Sequence, residues 1–527
     1  MIISVNAQII HVPGDYSTIQ AAINAAYGGD TVLVEEGSYL ENINFTGKAI
    51  TLASWFILDG DTAHISKTII DGSQPNHPDT ASVVSMVSGE DTTSVLSGFT
   101  IRGGEGTYTI FKEIPYLTGG GVNILHSGGK IVQNIIEDNN MREPEVDMWV
   151  MGFGINAYVT NNHTVIIRKN TIRNNTYSGN TGSSGAGIFT GGGKIIIEDN
   201  AISSNISNVI SNSSQFFAMG SGIGFVQFVF EGVIPEVIIR NNIITGNEVS
   251  GGHWSNQAQG AGIALKGGVF LPLDIKVYNN LIYNNHAIDG WGGGIAVWNI
   301  EEADIINNTI VNNNAGLGKQ LYMHNNDSVI LLNSILWSDT DDGISEIFID
   351  TNYTEHNNVL IARYNNILGD WEGEGNIDED PHFVEGSFEL DMGSPCIGKG
   401  IDAIEVNGNT YFAPESDLYG NPRPHSGCPY VDMGAIESSF IAGLEDAKGI
   451  KYPVTVYPNP ISHILTIEIK QPGLHSIEII SLRGQLIYST AMDGSNKQID
   501  LTHFRNGVYF ITIRSKSFVT NEKIIKL

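Results

Sequence analysis

The chain has 527 residues, a net charge of −30 at pH 7, 61 glycines and only 16% charged residues. Such an acidic chain excludes a nucleic-acid partner, whose phosphates require Lys and Arg, and plain electrostatic docking on an anionic membrane. No apolar run approaches the roughly 20 residues of a membrane-spanning helix.

The charge is uneven. From Lys451 onward nine Lys/Arg stand against five Asp/Glu, whereas the first 450 residues hold 18 against 52. That contrast predicts two modules with different roles. The acidic module would sit easily among divalent cations, because Ca²⁺ prefers carboxylate and carbonyl oxygens. Solubility alone is the plainer explanation. No cofactor is certain from the sequence, and Ca²⁺ is the only candidate.

In chain order, Val5-x-Ala7 before Gln8 reads as the small-residue end of a secretory signal, so residues 1–8 are taken as its remnant. Ser17 or Thr18 then caps a short helix whose apolar face is Ile19, Ala22, Ile23 and Ala26. A solenoid needs such a lid at its open end. Strands are expected at Asp30–Val34 and Ala49–Leu52.

A repeat follows. Gly-x-Gly before a β-branched residue begins at Gly119, Gly152, Gly185, Gly220, Gly260 and Gly292. Asn-x-Ile follows each at Asn134, Asn170, Asn200, Asn242, Asn280 and Asn308, then continues at Asn333 and Asn365, with Phe99-Thr-Ile101 as an earlier relative. The two units keep step at about 33 residues, so they mark one coil. Each lies in a short β-rich run without helical periodicity, which argues against βαβ units. Stacked coils would place isoleucine over isoleucine inside and asparagine at a bend, its amide bonding the next coil. The same register sets Arg168, Glu198 and Arg240 on successive coils, Lys169 over Asp199 and Glu137 over Arg173. Long excursions, 141–162 and 207–235, hold residues free to bind.

Candidate chemistry is sparse. Trp254, Trp291 and Trp298 lie on adjacent coils with Asp289, Glu301 and Glu302 nearby. Flat aromatic faces suit sugar rings, and carboxylates accept their hydroxyl protons; packing beneath loops is the competing account. Asp339, Asp341 and Asp342 cluster after a strand, as a cation site, a catalytic pair or a solvated turn. Cys396 and Cys428, 32 residues apart without a CxxC, form one disulfide in an oxidising compartment or stay as two thiols. His163, His253 and His286 are isolated.

The opening Thr18-Ile-Gln-Ala-Ala-Ile23, Gly29–Val34 and Gly37-Ser-Tyr39, with the repeats, resembles the pectin-lyase-like β-helix superfamily. Asp380–Phe383, Gly393–Ile397, Asp417–Pro424 and Asp432–Glu437 resemble the closing segment of bacterial surface β-helix proteins of the choice-of-anchor Q type. Val456–Pro460, Ile479–Leu486, Asn506–Phe510 and Lys523–Lys526 resemble the type A sorting domain of type IX secretion in Bacteroidetes-like bacteria. These resemblances imply an all-β chain: a single-stranded right-handed parallel β-helix with an N-terminal helical cap over residues 9–440, a linker over 441–452 and a small β-sandwich over 453–527. They imply secretion, type IX machinery as a partner, and the outer surface of a Gram-negative cell. Enzymes of this fold mostly cut polysaccharides, but the polygalacturonase and lyase hallmarks are not present as sets. The expectation is therefore a surface scaffold binding an extracellular ligand, a polysaccharide or other glycan. A lyase or hydrolase with divergent catalytic residues, and a structural or adhesive protein, are the alternatives. Convergent acids in a Trp-walled groove would favour the enzyme; Trp and Asn without paired acids would favour binding.

Overall fold

A computed structural model describes residues 7–111, 113–160, 163–211, 216–227, 234–251, 258–268, 273–340, 342–352, 357–425, 428–439, 454–481, 486–514 and 519–527. The chain divides into two compact units, Met1–Ala442 and Gly443–Leu527. The expected linker lies outside the described residues.

The first unit is a right-handed parallel β-helix. Three long parallel sheets of 12, 11 and 10 strands run its length, each strand pairing with its counterpart one coil away. Sheet one runs from Ile9–Val12 to Val359–Arg363, sheet two from Gly37–Leu40 to Asn366–Ile367, and sheet three from Ile43–Asn44 to Ile347–Asp350. Strands alternate side chains between faces. The inward set forms one continuous core, with Ile136, Ile172, Ile202, Ile244, Ile282 and Ile310 in a single buried column.

The asparagines of the repeat hold the corner between sheets one and two. Asn170 Oδ1 accepts from the Asn134 N–H and side chain at 3.0 and 3.1 Å. Asn200, Asn242, Asn280 and Asn308 repeat the pattern coil by coil. A buried amide that spends both groups on its neighbours carries no desolvation debt. The column then departs from the spacing of the motif. Ser334, not Asn333, receives the Asn308 N–H at 3.1 Å, and Asn333 stacks on Asn307 instead. A second ladder, Asn139, Asn175, Asn205, Asn247, Asn285 and Asn313, holds the corner after sheet two.

The Gly-x-Gly units close the coil before sheet three. Gly185 has φ +68°, which favours glycine. A Cβ on Gly187 would lie 2.6 Å from the Gly222 carbonyl oxygen of the next coil. Coils this close tolerate no side chain there.

Thr18 caps the helix Ile19–Ala25, its side chain accepting from Ala21 N–H, and Ile19, Ala22 and Ile23 are buried beneath. Arg168 and Arg240 both pair with Glu198, at 3.4 and 2.6 Å, and Arg173 pairs with Glu137 at 2.7 Å. Asp199 meets Arg168 at 3.3 Å, where Lys169 was expected. Lys169 takes a left-handed φ of +56° at that bend.

The second unit is antiparallel. Ile464–Ser481 pairs with Val454–Tyr457, Leu486–Asp500 and Gly507–Arg514, and the last pairs with Val519–Lys526. Its core includes Ile461, Leu465, Ile467, Ile477, Ile479, Ile511, Ile513 and Ile524.

Candidate functional site

Register defines two outward columns on sheet three. One reads Asn123, Asn156, Phe189, Gly224, Ala264, Ala296, Tyr322 and Phe348. The other includes Leu125, Tyr158, Val226, Lys266, Trp298, His324 and Asp350. Beside them rises a wall: the hairpin Gly106–Phe111 and Ile114–Thr118, then Trp149–Met151, Ser183–Ser184 and Ala218–Met219.

At the N-terminal end, hairpin and face form a shallow pocket with a cavity of about 20 Å³, lined by Thr109, Phe111, Tyr116, Thr118, Leu125, Met151, Asn156 and Tyr158. Phe111 meets Tyr158 edge-on at 5.2 Å, and His126 meets Tyr158 at 5.5 Å. Burial raises the Tyr158 phenol, with Tyr116 adding to the effect, and lowers the His126 imidazole. Desolvation disfavours the charged form in both cases, so both stay neutral near pH 7. Beneath them, Asn156 Nδ2 donates to Asn123 Oδ1 at 2.8 Å. That leaves Asn156 Oδ1 and Asn123 Nδ2 buried and without a partner among the described residues. The pocket therefore offers aromatic walls over one free acceptor, with one free donor beside it.

At the C-terminal end, aromatics pack on one another. Trp291 stacks on Tyr322 at 5.3 Å and 12°, and Phe348 stacks on Tyr322 at 5.9 Å and 5°. Trp298 tilts against Tyr322 at 5.3 Å. Tyr322 and Trp298 are only 1% and 5% exposed. Tyr322 OH donates to Asp350 Oδ2 at 2.9 Å, and His324 Nδ1 lies 3.2 Å from the same oxygen. Burial acts to raise Asp350, but bonds from Asn352, Tyr322 and His324 outweigh it and hold the carboxyl below its usual range. Between the two ends, Lys266 sets its Nζ 4.7 Å above the Phe217 ring, and burial lowers its ammonium.

The structure brings together only part of the residue set expected from sequence. Trp291 and Trp298 meet around Tyr322, but Trp298 is covered by its neighbours and offers no open face. Trp254 and Asp341 lie outside the described residues. Asp289 is exposed on the strand His286–Trp291, part of a separate five-stranded parallel sheet. Glu301 is an exposed turn residue, and Glu302 lies on sheet one, where Tyr411 OH donates to it at 2.9 Å. These three carboxylates do not line the tryptophan cluster, because the chain turns a corner after Trp298 and alternation then sends Glu302 out from another sheet. Asp339 accepts from Asn312 at 2.7 Å, and Asp342 pairs with Lys319 at 3.0 Å. Among the described residues no three His, Cys, Asp or Glu are grouped to hold a metal. Of the two alternatives for the cysteines, a disulfide or two thiols, the structure has the second: Cys396 and Cys428 are separate and buried. Cys396 instead accepts from Asn366 at 3.1 Å, and burial pushes its thiol up to about 12.

The pocket residues were missed. Their trace is visible in Gly121-Val-Asn123 and Gly154-Ile-Asn156, which repeat asparagine where the next coil has Phe189. The hairpin that completes the pocket has no counterpart in the repeat.

Residues 455–527 match the family described as the secretion system C-terminal sorting domain. The C-terminal unit is a sorting domain of type IX secretion. The protein that carries it is a secreted or cell-surface protein, and no described helix is long and apolar enough to cross a membrane. No curated protein matches the chain. Among solved structures, the chain is similar to a mannuronic acid specific polysaccharide family 6 lyase from human gut microbiota. Identity is 15%, with 71% of this chain and 92% of that one covered at a TM-score of 0.32. So low a score carries no argument, and the fold rests on the strand register.

Proposed function

We propose that the β-helix binds an extracellular polysaccharide, with one sugar face laid over the aromatic rim of the sheet-three pocket and one of its hydroxyls entering it. The observation that carries this is the pair of unused polar atoms, Asn156 Oδ1 and Asn123 Nδ2, buried beneath the rings of Phe111, Tyr116 and Tyr158. A sugar offers what the pocket lacks. Its C–H face suits the rings, and one hydroxyl both donates and accepts. Among the described residues the pocket lining includes no carboxylate. That favours binding over hydrolysis, which uses a carboxylic acid and a carboxylate across the bond. The sorting domain would deliver this module to the cell surface and be removed there.

The test is a glycan array probed with the full chain, followed by titration of the strongest ligand. N156A and Y116A should each weaken binding at least tenfold. No glycan binding, or binding indifferent to both substitutions, would overturn the reading. New reducing ends or an unsaturated product would replace it with an enzyme.

A further inference from the structure

A second concavity lies on a different face. The outer surface of sheet one on the strands Glu236–Arg240, Asp274–Tyr278 and Glu302–Ile306 is roofed by residues 410–416, leaving a groove of about 510 Å³. Three of the residues lining it, Asn241, Asn279 and Asp304, each carry a buried side-chain oxygen, Oδ1, just beneath its surface that has no hydrogen-bond partner among the described residues. The cations of the same groove are already engaged: Arg240 with Glu198 at 2.6 Å, Lys276 with Asp274 at 2.8 Å. Asn241 and Asn279 commit their amide nitrogens to Asp199 and to the Ser416 carbonyl. The floor is therefore short of donors. On the roof, Tyr411 is held by Glu302, while Phe412 is 65% exposed and free to meet a ring.

We propose that this groove is a second saccharide site, taking a neutral, hydroxyl-rich glycan segment. It stands apart from the sheet-three pocket and does not rest on that reading. A buried acceptor left without a donor is costly, so three such acceptors along one groove favour a ligand bearing several O–H donors. Asn241 and Asn279 occupy equivalent positions one coil apart, about 4.8 Å, and Asp304 lies on the following coil. That layout follows an extended chain rather than surrounding a point cation, and Lys276, paired in register with Asp304, opposes a cation further. A uronate carboxylate would set acceptor against acceptor. Burial, with Glu302 beside it, raises the Asp304 carboxyl to about 7.

The probe is a panel of neutral hexaoses built from β-linked glucose, mannose or xylose, titrated calorimetrically into the full chain, with hexagalacturonate as the charged comparator. At least one neutral hexaose should bind, and D304L and F412A should each weaken it tenfold or more, while N156A leaves it unchanged. F412A alters an exposed side chain and so keeps the test valid even if D304L fails to fold. Four outcomes would overturn the site: no neutral hexaose binds; binding survives F412A and a folded D304L; N156A alone abolishes it; or hexagalacturonate binds as tightly.

Discussion

The middle coils and the closing segment of the β-helix solve the same problem of buried polarity in opposite ways. From Asn134 to Asn313 the corners are held by neutral amides, each bonded to its equivalent one coil on. Every link resembles the last, and none carries charge. The closing segment buries charge instead. Arg423 and Glu437 have side chains 0% and 1% exposed, 3.6 Å apart. Arg423 Nη1 donates to the carbonyls of Asp432 and Gly434. Asp432 accepts from Gly398 and Ser438 N–H, and Asp417 from Tyr419, Asn421 and Glu437 N–H. Repetition spreads stability over many equal bonds, whereas a terminus without a next coil gathers it into one ionic knot.

The contrast can be broken most forcefully at Arg423. R423M strands Glu437 and Asp432 without their cation, and removing one partner of a buried pair costs about 3–5 kcal/mol. Urea unfolding should show that loss, together with proteolytic opening of residues 391–438 before the coils. Next comes the ladder. N200A leaves the Asn170 N–H and side-chain amide without their acceptor and the Ile167 carbonyl without its donor, and should cost about 2–3 kcal/mol in the same assay. An equal loss at Asn242 would show that the links are equivalent; a loss confined to one coil would refute the shared character of the ladder.

The third experiment uses pH. The Asp304 carboxyl keeps its proton to about 7 in the folded chain and to about 4 when unfolded. Folding thus takes up a proton between those values, and stability present below about pH 4 is lost as pH rises through 7. D304N should remove that slope, adding about 1–2 kcal/mol at pH 8 after allowance for solvent screening and little at pH 4. A wild-type slope retained in D304N would assign it to Glu437, also raised to about 7 by burial. The smallest effect is expected on the surface of the middle coils. R173A loses a half-exposed partner of Glu137 and should cost under about 1 kcal/mol, declining further in high salt.

Particular residues show how far the sequence could be read. Asn134, Asn170 and Asn200 announced their column because a repeated position has a repeated environment. The ladder five residues further on, Asn139, Asn175 and Asn205, was equally present in the letters but went unread. Asn333 misled, since Asn333-Ser334-Ile335 matches the motif while the strand register places Ser334 in the column. Trp298 shows a different limit: the spacing puts it on one coil with Trp291 and leaves open whether it packs under its neighbours, and the structure covers it with Trp291 and Tyr322. The sheet-three pocket depends on the hairpin Gly106–Thr118, a single departure from the repeat that no neighbouring coil could explain.

The sequence by itself determined the winding of the chain, its cap, its corners and the identity of its export domain. The export domain follows from motifs that resemble its family, and the rest from short-range rules: alternation along a strand, glycine where coils touch, asparagine where an amide serves two coils. Tertiary structure alone decided which side chains share a pocket, which tryptophan is covered, and that Cys396 and Cys428 remain apart. Those outcomes hang on contacts between residues tens of positions distant, and no local preference encodes such contacts.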